Sequence, residues 1–254
     1  MRWIDIFAAW AYYAKAISFT TKHRLWGSFV VPVLLNLLLF VSLLAFVGFA
    51  AYKWSPIFGD YIAQRLDISV FWIRLVSALA GMVIMLMLYK NIMLIMLAPT
   101  FGTLAEKVLK ARQPEYFEAE FSIRTTWHNL KRGFSMTLRY TPLELLLSFL
   151  LFMIGLFWPF ISPITTLMVL LVQSYFLGLG FFDYTLEVKG VSGVAVRQWA
   201  WQQKYAQLGI GSGFILLCLL PFIGFILAPC LAVVASSLAL EEYGKGLEMK
   251  ANRT

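Results

Sequence analysis

The sequence predicts an all-α integral membrane protein: two full transmembrane helices, two proline-broken helical hairpins that penetrate the membrane partly, and interfacial amphipathic helices. Three observations predict this class. The 254 residues are 61% hydrophobic, 17% aromatic and only 13% charged, with a mean hydropathy of +0.77, a balance that places the chain among membrane proteins. The apolar residues fall in runs on the scale of the roughly 20 helical residues that cross a hydrocarbon core. Two long apolar stretches are also interrupted by the same tripeptide, Pro159-Phe160-Ile161 and Pro221-Phe222-Ile223. Each is followed by a second proline, Pro163 and Pro229, and then by an acid and a tyrosine, Asp183-Tyr184 and Glu242-Tyr243. A proline inside an apolar helix removes a backbone donor and clashes with the preceding turn, so each stretch is expected to fold back as a hairpin. Paired broken helices in membrane proteins mark where function concentrates.

The elements follow in order within a single membrane domain, 1–254. Residues 1–21 mix Trp3, Ile4, Phe7, Trp10 and Tyr13 with Asp5 and Lys15, the pattern of a helix lying in the headgroup plane and not of a secretory signal. Residues 28–52 are continuously apolar and form the first span. Residues 69–98 form the second, interrupted only by Arg74, Lys90 and Asn91, with both basic side chains expected to snorkel to the interfaces. Pro99 and Gly102 then break the helix, with Thr100 or Thr103 capping a new one and Glu106 in its first turn. The hairpins are 143–182 and 208–240, with breaks at Pro159, Pro163, Pro221 and Pro229. Their first arms, 145–158 and 208–220, hold 14 and 13 residues. At about 1.5 Å per residue such arms reach only about 20 Å, short of a complete crossing. Residues 194–207, with Trp199 and Trp201 beside Arg197 and Lys204, read as a second interfacial helix.

Charge placement gives the topology. Of the 21 lysines and arginines, 3 lie in the 53–74 loop and 18 elsewhere, none of them at a hairpin tip. The positive-inside rule then puts both termini in the cytoplasm. Topology accounts for the net charge of +8, and no phosphate-binding glycine loop, RNA-binding signature or zinc spacing points to nucleic acid. Cys218 and Cys230 sit in apolar segments as packing residues. His23 and His128 are the only histidines and lie in no nucleophile or metalloprotease motif, so no enzyme, metal site or cofactor is expected.

Polar groups at membrane depth or helix ends are costly and are therefore the candidates for function. Asn36 in the first span suits a hydrogen bond between helices. Asn91, Glu106 and Asp183 suit a pathway or an ion pair, and Glu242 can pair as Asp183 does. For an anion, basic side chains at helix starts are the natural ligands. Lys22, His23 and Arg24 before the first span form one such patch, with Arg197, Lys204, Lys131 and Arg132 as further positions.

The order Pro32-x-x-x-Asn36, Ala98-Pro99 followed by Gly102-x-Leu104-Ala105-Glu106, Lys131-Arg132 with Tyr140-x-Pro142, Asp183-Tyr184, Arg197 and the Pro221 to Pro229 hairpin resembles the bacterial sulfate permease family CysZ. That family shares a superfamily with the etoposide-induced membrane proteins of eukaryotes. The resemblance runs from about residue 10 to 245. It implies two full spans plus two partly penetrating hairpins. It also implies sulfate uptake across the bacterial inner membrane for cysteine synthesis, through a homo-oligomer without an ATPase subunit. Relatives carry an arginine pair before the proline of the first span; the matching positions here are Trp26 and Gly27, with His23 and Arg24 slightly upstream. Two later basic positions are Trp201 and Gln203, whereas Arg197 and Lys204 match. The family also assembles protomers in opposed orientations, whereas the basic-residue bias predicts one orientation. The expected function is an inner-membrane anion permease acting on sulfate; the alternative is a non-transporting membrane scaffold or assembly factor.

Overall fold

The computed structural model describes residues 4–66, 71, 89–112, 123–191, 194–220 and 223–244. No strand occurs among them. Helix α1 (Ile4–Lys22) has Asp5 in its first turn and Lys22 in its last, each complementing the helix dipole. One side of α1, Ala9, Tyr12, Tyr13, Ala16 and Thr20, is buried, with α8 and α9 among the helices it packs on, while Ile4, Phe7, Trp10 and Ile17 remain exposed. Arg24 adopts the left-handed conformation at φ 54° and opens a 3-10 turn, Leu25–Phe29. The chain then enters α2 (Val30–Leu66), with Pro32 in the first turn, where a missing N–H costs nothing.

The first predicted span is present as Leu25–Ala50, of which only 11% is buried by the rest of the chain, as a lipid-facing helix requires. The expected loop at residue 53 does not begin there. The helix continues to Leu66 through Lys53 and Pro56, since a proline in an apolar helix more readily bends it than ends it. Most of the second predicted span lies outside the described residues, and its visible end is α3 (Tyr89–Met96). The chain bends by 62° between α3 and α4 (Ala98–Arg112). Pro99 sits in the first turn of α4; it has no N–H to return to the Ile95 carbonyl and its ring crowds that turn, so the helix breaks just ahead of it, at Leu97. Gly102 is not a break. It lies buried inside α4, because the chain has already turned.

The first hairpin is α5 (Ile123–Phe157), a 3-10 turn at Pro159–Ile161, and α6 (Ser162–Val188) with Pro163 at its start. Its apolar arms, Tyr140–Phe157 and Ser162–Val188, have 18 and 27 residues, long enough to cross a membrane. The first arm exceeds the expected length because α5 runs unbroken through Thr141 and Pro142. Next come α7 (Val194–Gln202), α8 (Lys204–Cys218) and α9 (Ile223–Tyr243). Pro221 lies outside the described residues, although the turn leading to it is visible at Leu219, whose N–H bonds the Leu216 carbonyl. Pro229 does not break α9. The ten residues Leu231 to Leu240 after it are all buried, and that packing outweighs one lost backbone bond.

Helix α9 is the centre of the molecule: 72% of Ile226–Tyr243 is buried, against 11% of Tyr140–Phe157, and α1, α2, α4, α6 and α8 all contact it. Helices α6 and α8 pack backbone against backbone. A methyl group on Gly211 would stand 1.8 Å from the Ser174 carbonyl oxygen, and one on Gly178 would stand 2.0 Å from that of Gln207. Glycine therefore sets the approach of the two backbones, as small residues do between membrane helices.

Candidate functional site

Where α3 meets the first hairpin, a small cavity of about 50 Å³ with a mixed polar and apolar lining opens between α3, α5 and α6. Lys90 and Asn91 enter from α3, Tyr140, Thr141 and Glu144 from α5, and Asp183 from α6. The helices explain the convergence. Tyr140 and Glu144 lie four apart, and Thr141 one step round, so they share a face of α5.

Lys90 forms an ion pair with Glu144, their side chains only 11% and 4% exposed. Thr141 donates its hydroxyl to Asn91 Oδ1 at 3.1 Å. One turn beyond, the Tyr184 hydroxyl donates to the Leu94 carbonyl at 2.6 Å and ties α6 to α3. The Tyr89 hydroxyl donates to Asn36 Oδ1, joining α3 to the first span. Polar side chains have thus been drawn inward on three otherwise apolar elements, where each finds a partner or the cavity. A partly polar space of this size accommodates a few waters. With Lys90 positive and Glu144 and Asp183 acidic, the lining offers an anion one cation, and that cation is held by a carboxylate.

The predicted residues divide between this cavity and the surface. Asn91 and Asp183 line the cavity, and Asn36 makes the expected bond between helices. Glu106 does not reach the first turn of α4, because that helix starts at Ala98. Thr100 and Thr103 do not cap it either: each hydroxyl donates back to the carbonyl three residues earlier, Leu97 and Thr100, at 2.8 and 2.9 Å. Lys22, His23 and Arg24 are all exposed. The His23 ring stacks on Phe19 with centroids 4.2 Å apart, and Lys22 faces a separate groove between α1 and α9. Near the turn that follows, Lys107 from α4 donates to Ser28 Oγ at 2.9 Å. Arg197 is exposed on α7, which packs on α6 and α8.

The tryptophans of the second interfacial segment part company. Trp201 is exposed, but Trp199 is buried against Phe182, with its N–H donated to the Tyr243 carbonyl at 3.1 Å. Helix α7 is thus anchored to the core by one face. Glu242 takes a hydroxyl partner, Tyr12, in place of the expected basic one. Burial and that bonded carboxylate hold the Tyr12 hydroxyl well above its ordinary pKa.

The sequence reading missed Lys90 and Glu144. A lysine near the end of a span reads as a snorkelling residue, and Glu144 stands one position before the apolar count of the hairpin arm. The available signal was an acid just ahead of one span and a lysine near the end of the span before it. In lipid, such a pair is cheaper together than apart.

The family described as sulfate transporter CysZ/etoposide-induced protein 2.4 matches residues 12–229. No curated protein matches the chain. The family match covers most of the 254 residues, and the chain belongs to this family of sulfate-transporter-like, multi-pass membrane proteins.

Proposed function

We propose that this family member is a bacterial inner-membrane permease that carries sulfate inward for sulfur assimilation, acting as a homo-oligomer with both termini in the cytoplasm. The observation that carries the reading is the buried Lys90–Glu144 pair, two helical turns before the α3–α4 bend. Ionisable groups at membrane depth are expensive and mark ion pathways, and broken helices supply the polar backbone around them. In this mechanism sulfate is gathered by the exposed basic residues His23, Arg24 and Arg197 and then passes the cavity. Lys90 exchanges its carboxylate partner for the anion as it passes. A cavity sized for a few waters must widen for sulfate, and the glycine-packed seam between α6 and α8 lets those helices slide.

Trp26 and Gly27 at the positions of the family's arginine pair favour a second reading, a scaffold without transport. The two readings differ in a bacterial strain lacking its own sulfate uptake. The permease restores accumulation of labelled sulfate, and Lys90→Met abolishes that restoration while the protein remains in the membrane. Unchanged, background-level accumulation with well-expressed wild-type protein favours the scaffold.

A further inference from the structure

A second opening lies away from that cavity. It is a groove of about 620 Å³ between α1, the end of α4 and the end of α9. Lys15, Ser18 and Lys22 form its α1 wall, and Arg112, Glu241 and Glu242 come from the other helices. Both carboxylates are already engaged. Arg112 grips Glu241 with Nη2 at 2.8 Å and Nε at 3.1 Å, and Glu242 accepts the Tyr12 hydroxyl. Lys15 lies over the Tyr12 ring at 4.3 Å. Among the described residues no carboxylate pairs with Lys15 or Lys22. The groove therefore presents two lysines to an incoming anion and no unengaged glutamate to an incoming cation.

Its level in the molecule is set by two features. Glu241 and Glu242 stand in the last turn of the candidate span Ile226–Tyr243, where an apolar helix meets water. Lys15 and Lys22, seven apart, share one side of α1. On a neighbouring side Ile4, Phe7 and Trp10 are exposed to whatever surrounds the protein. A cationic side next to an apolar side on an interfacial helix matches the phosphate-to-acyl boundary of a bilayer.

We infer that the groove holds the headgroup of an anionic phospholipid, its phosphate on Lys15 and Lys22 and its acyl chains along Ile4, Phe7 and Trp10. A zwitterionic lipid fits less well, because its ammonium would have to displace Arg112 or Tyr12 from a carboxylate. Surface lysines attract anionic lipid by charge; here the groove fixes where. The assignment is independent of transport.

Native mass spectrometry of the full-length protein tests it, after incubation in detergent with equal amounts of phosphatidylglycerol, phosphatidylethanolamine and phosphatidylcholine. Phosphatidylglycerol is expected to be retained about tenfold over phosphatidylcholine. Lys15→Gln/Lys22→Gln should erase that preference, a loss of about tenfold, and each single change should lose about threefold. Lys15→Arg/Lys22→Arg and Lys204→Gln should keep it. The singles and the arginine pair decide the matter should the double variant fail to fold. Equal retention of the three lipids, or unchanged retention in the glutamine variants, overturns the inference. So does displacement of the lipid by millimolar inorganic phosphate or sulfate, which would make the groove a site for the free anion.

Discussion

Removing one member of the Lys90–Glu144 pair should cost far more than removing both. The two side chains are 11% and 4% exposed, so either Lys90→Met or Glu144→Gln leaves a charge that bulk water does not reach. Loss of one partner from a buried pair costs about 3–5 kcal/mol, or roughly two to nearly four decades in the folded-to-unfolded ratio. Replacing both by apolar residues of similar size, Lys90→Met/Glu144→Leu, removes the two desolvation penalties together and should cost less than either single change. Unfolding by sodium dodecyl sulfate in mixed lipid–detergent micelles measures all four proteins on one scale. Single variants within about 1 kcal/mol of wild type, with a double variant at their sum, would refute the reasoning. Such additivity would mean that the pair is solvated and contributes as a surface pair does.

The same unfolding assay checks the helix contacts. Gly211→Val places side-chain carbon against the Ser174 backbone, where even a methyl group would be 1.8 Å away, and should destabilise by at least about 3 kcal/mol. Gly48→Ala, with nothing within 4 Å, should leave stability unchanged or raise it by up to about 1 kcal/mol; equal effects at the two glycines would contradict the seam. Tyr89→Phe removes the donor to Asn36 and should cost about 0.6–2 kcal/mol, against no change if that bond is immaterial. Gly27→Arg adds a cation at an open position, again with nothing within 4 Å. It should strengthen sulfate binding severalfold by calorimetric titration, and unaltered affinity would place the turn off the anion's route.

What was legible in the sequence is what depends on composition and on proline. The first span, the break at Pro159 and the helix start at Pro163 follow from runs of apolar residues and from a missing donor, both local properties. What was not legible depends on the neighbour. Pro229 looks like a break until the fully buried segment after it is seen, and Gly102 until the chain is seen to turn earlier, at Leu97. Trp199 and Trp201, two residues apart, carry the same interfacial signal, yet Phe182 and the Tyr243 carbonyl draw one of them inside. Lys90 faces the same choice between interface and interior, and Glu144 on another helix decides it. For the anion ligands, the sequence placed Lys22, His23 and Arg24 side by side. In space the end of α1 and the left-handed Arg24 turn them toward different surroundings.

The proposed permease conducts sulfate past Lys90. Labelled sulfate flux into proteoliposomes under an outward-to-inward gradient tests it most directly, with wild type, Lys90→Met and empty vesicles compared at several pH values. Conduction past Lys90 gives saturable flux with wild type that falls to the empty-vesicle level in Lys90→Met, with chloride a poor competitor. Wild-type flux equal to empty vesicles at every pH contradicts the permease, and full flux in a folded Lys90→Met protein contradicts the route.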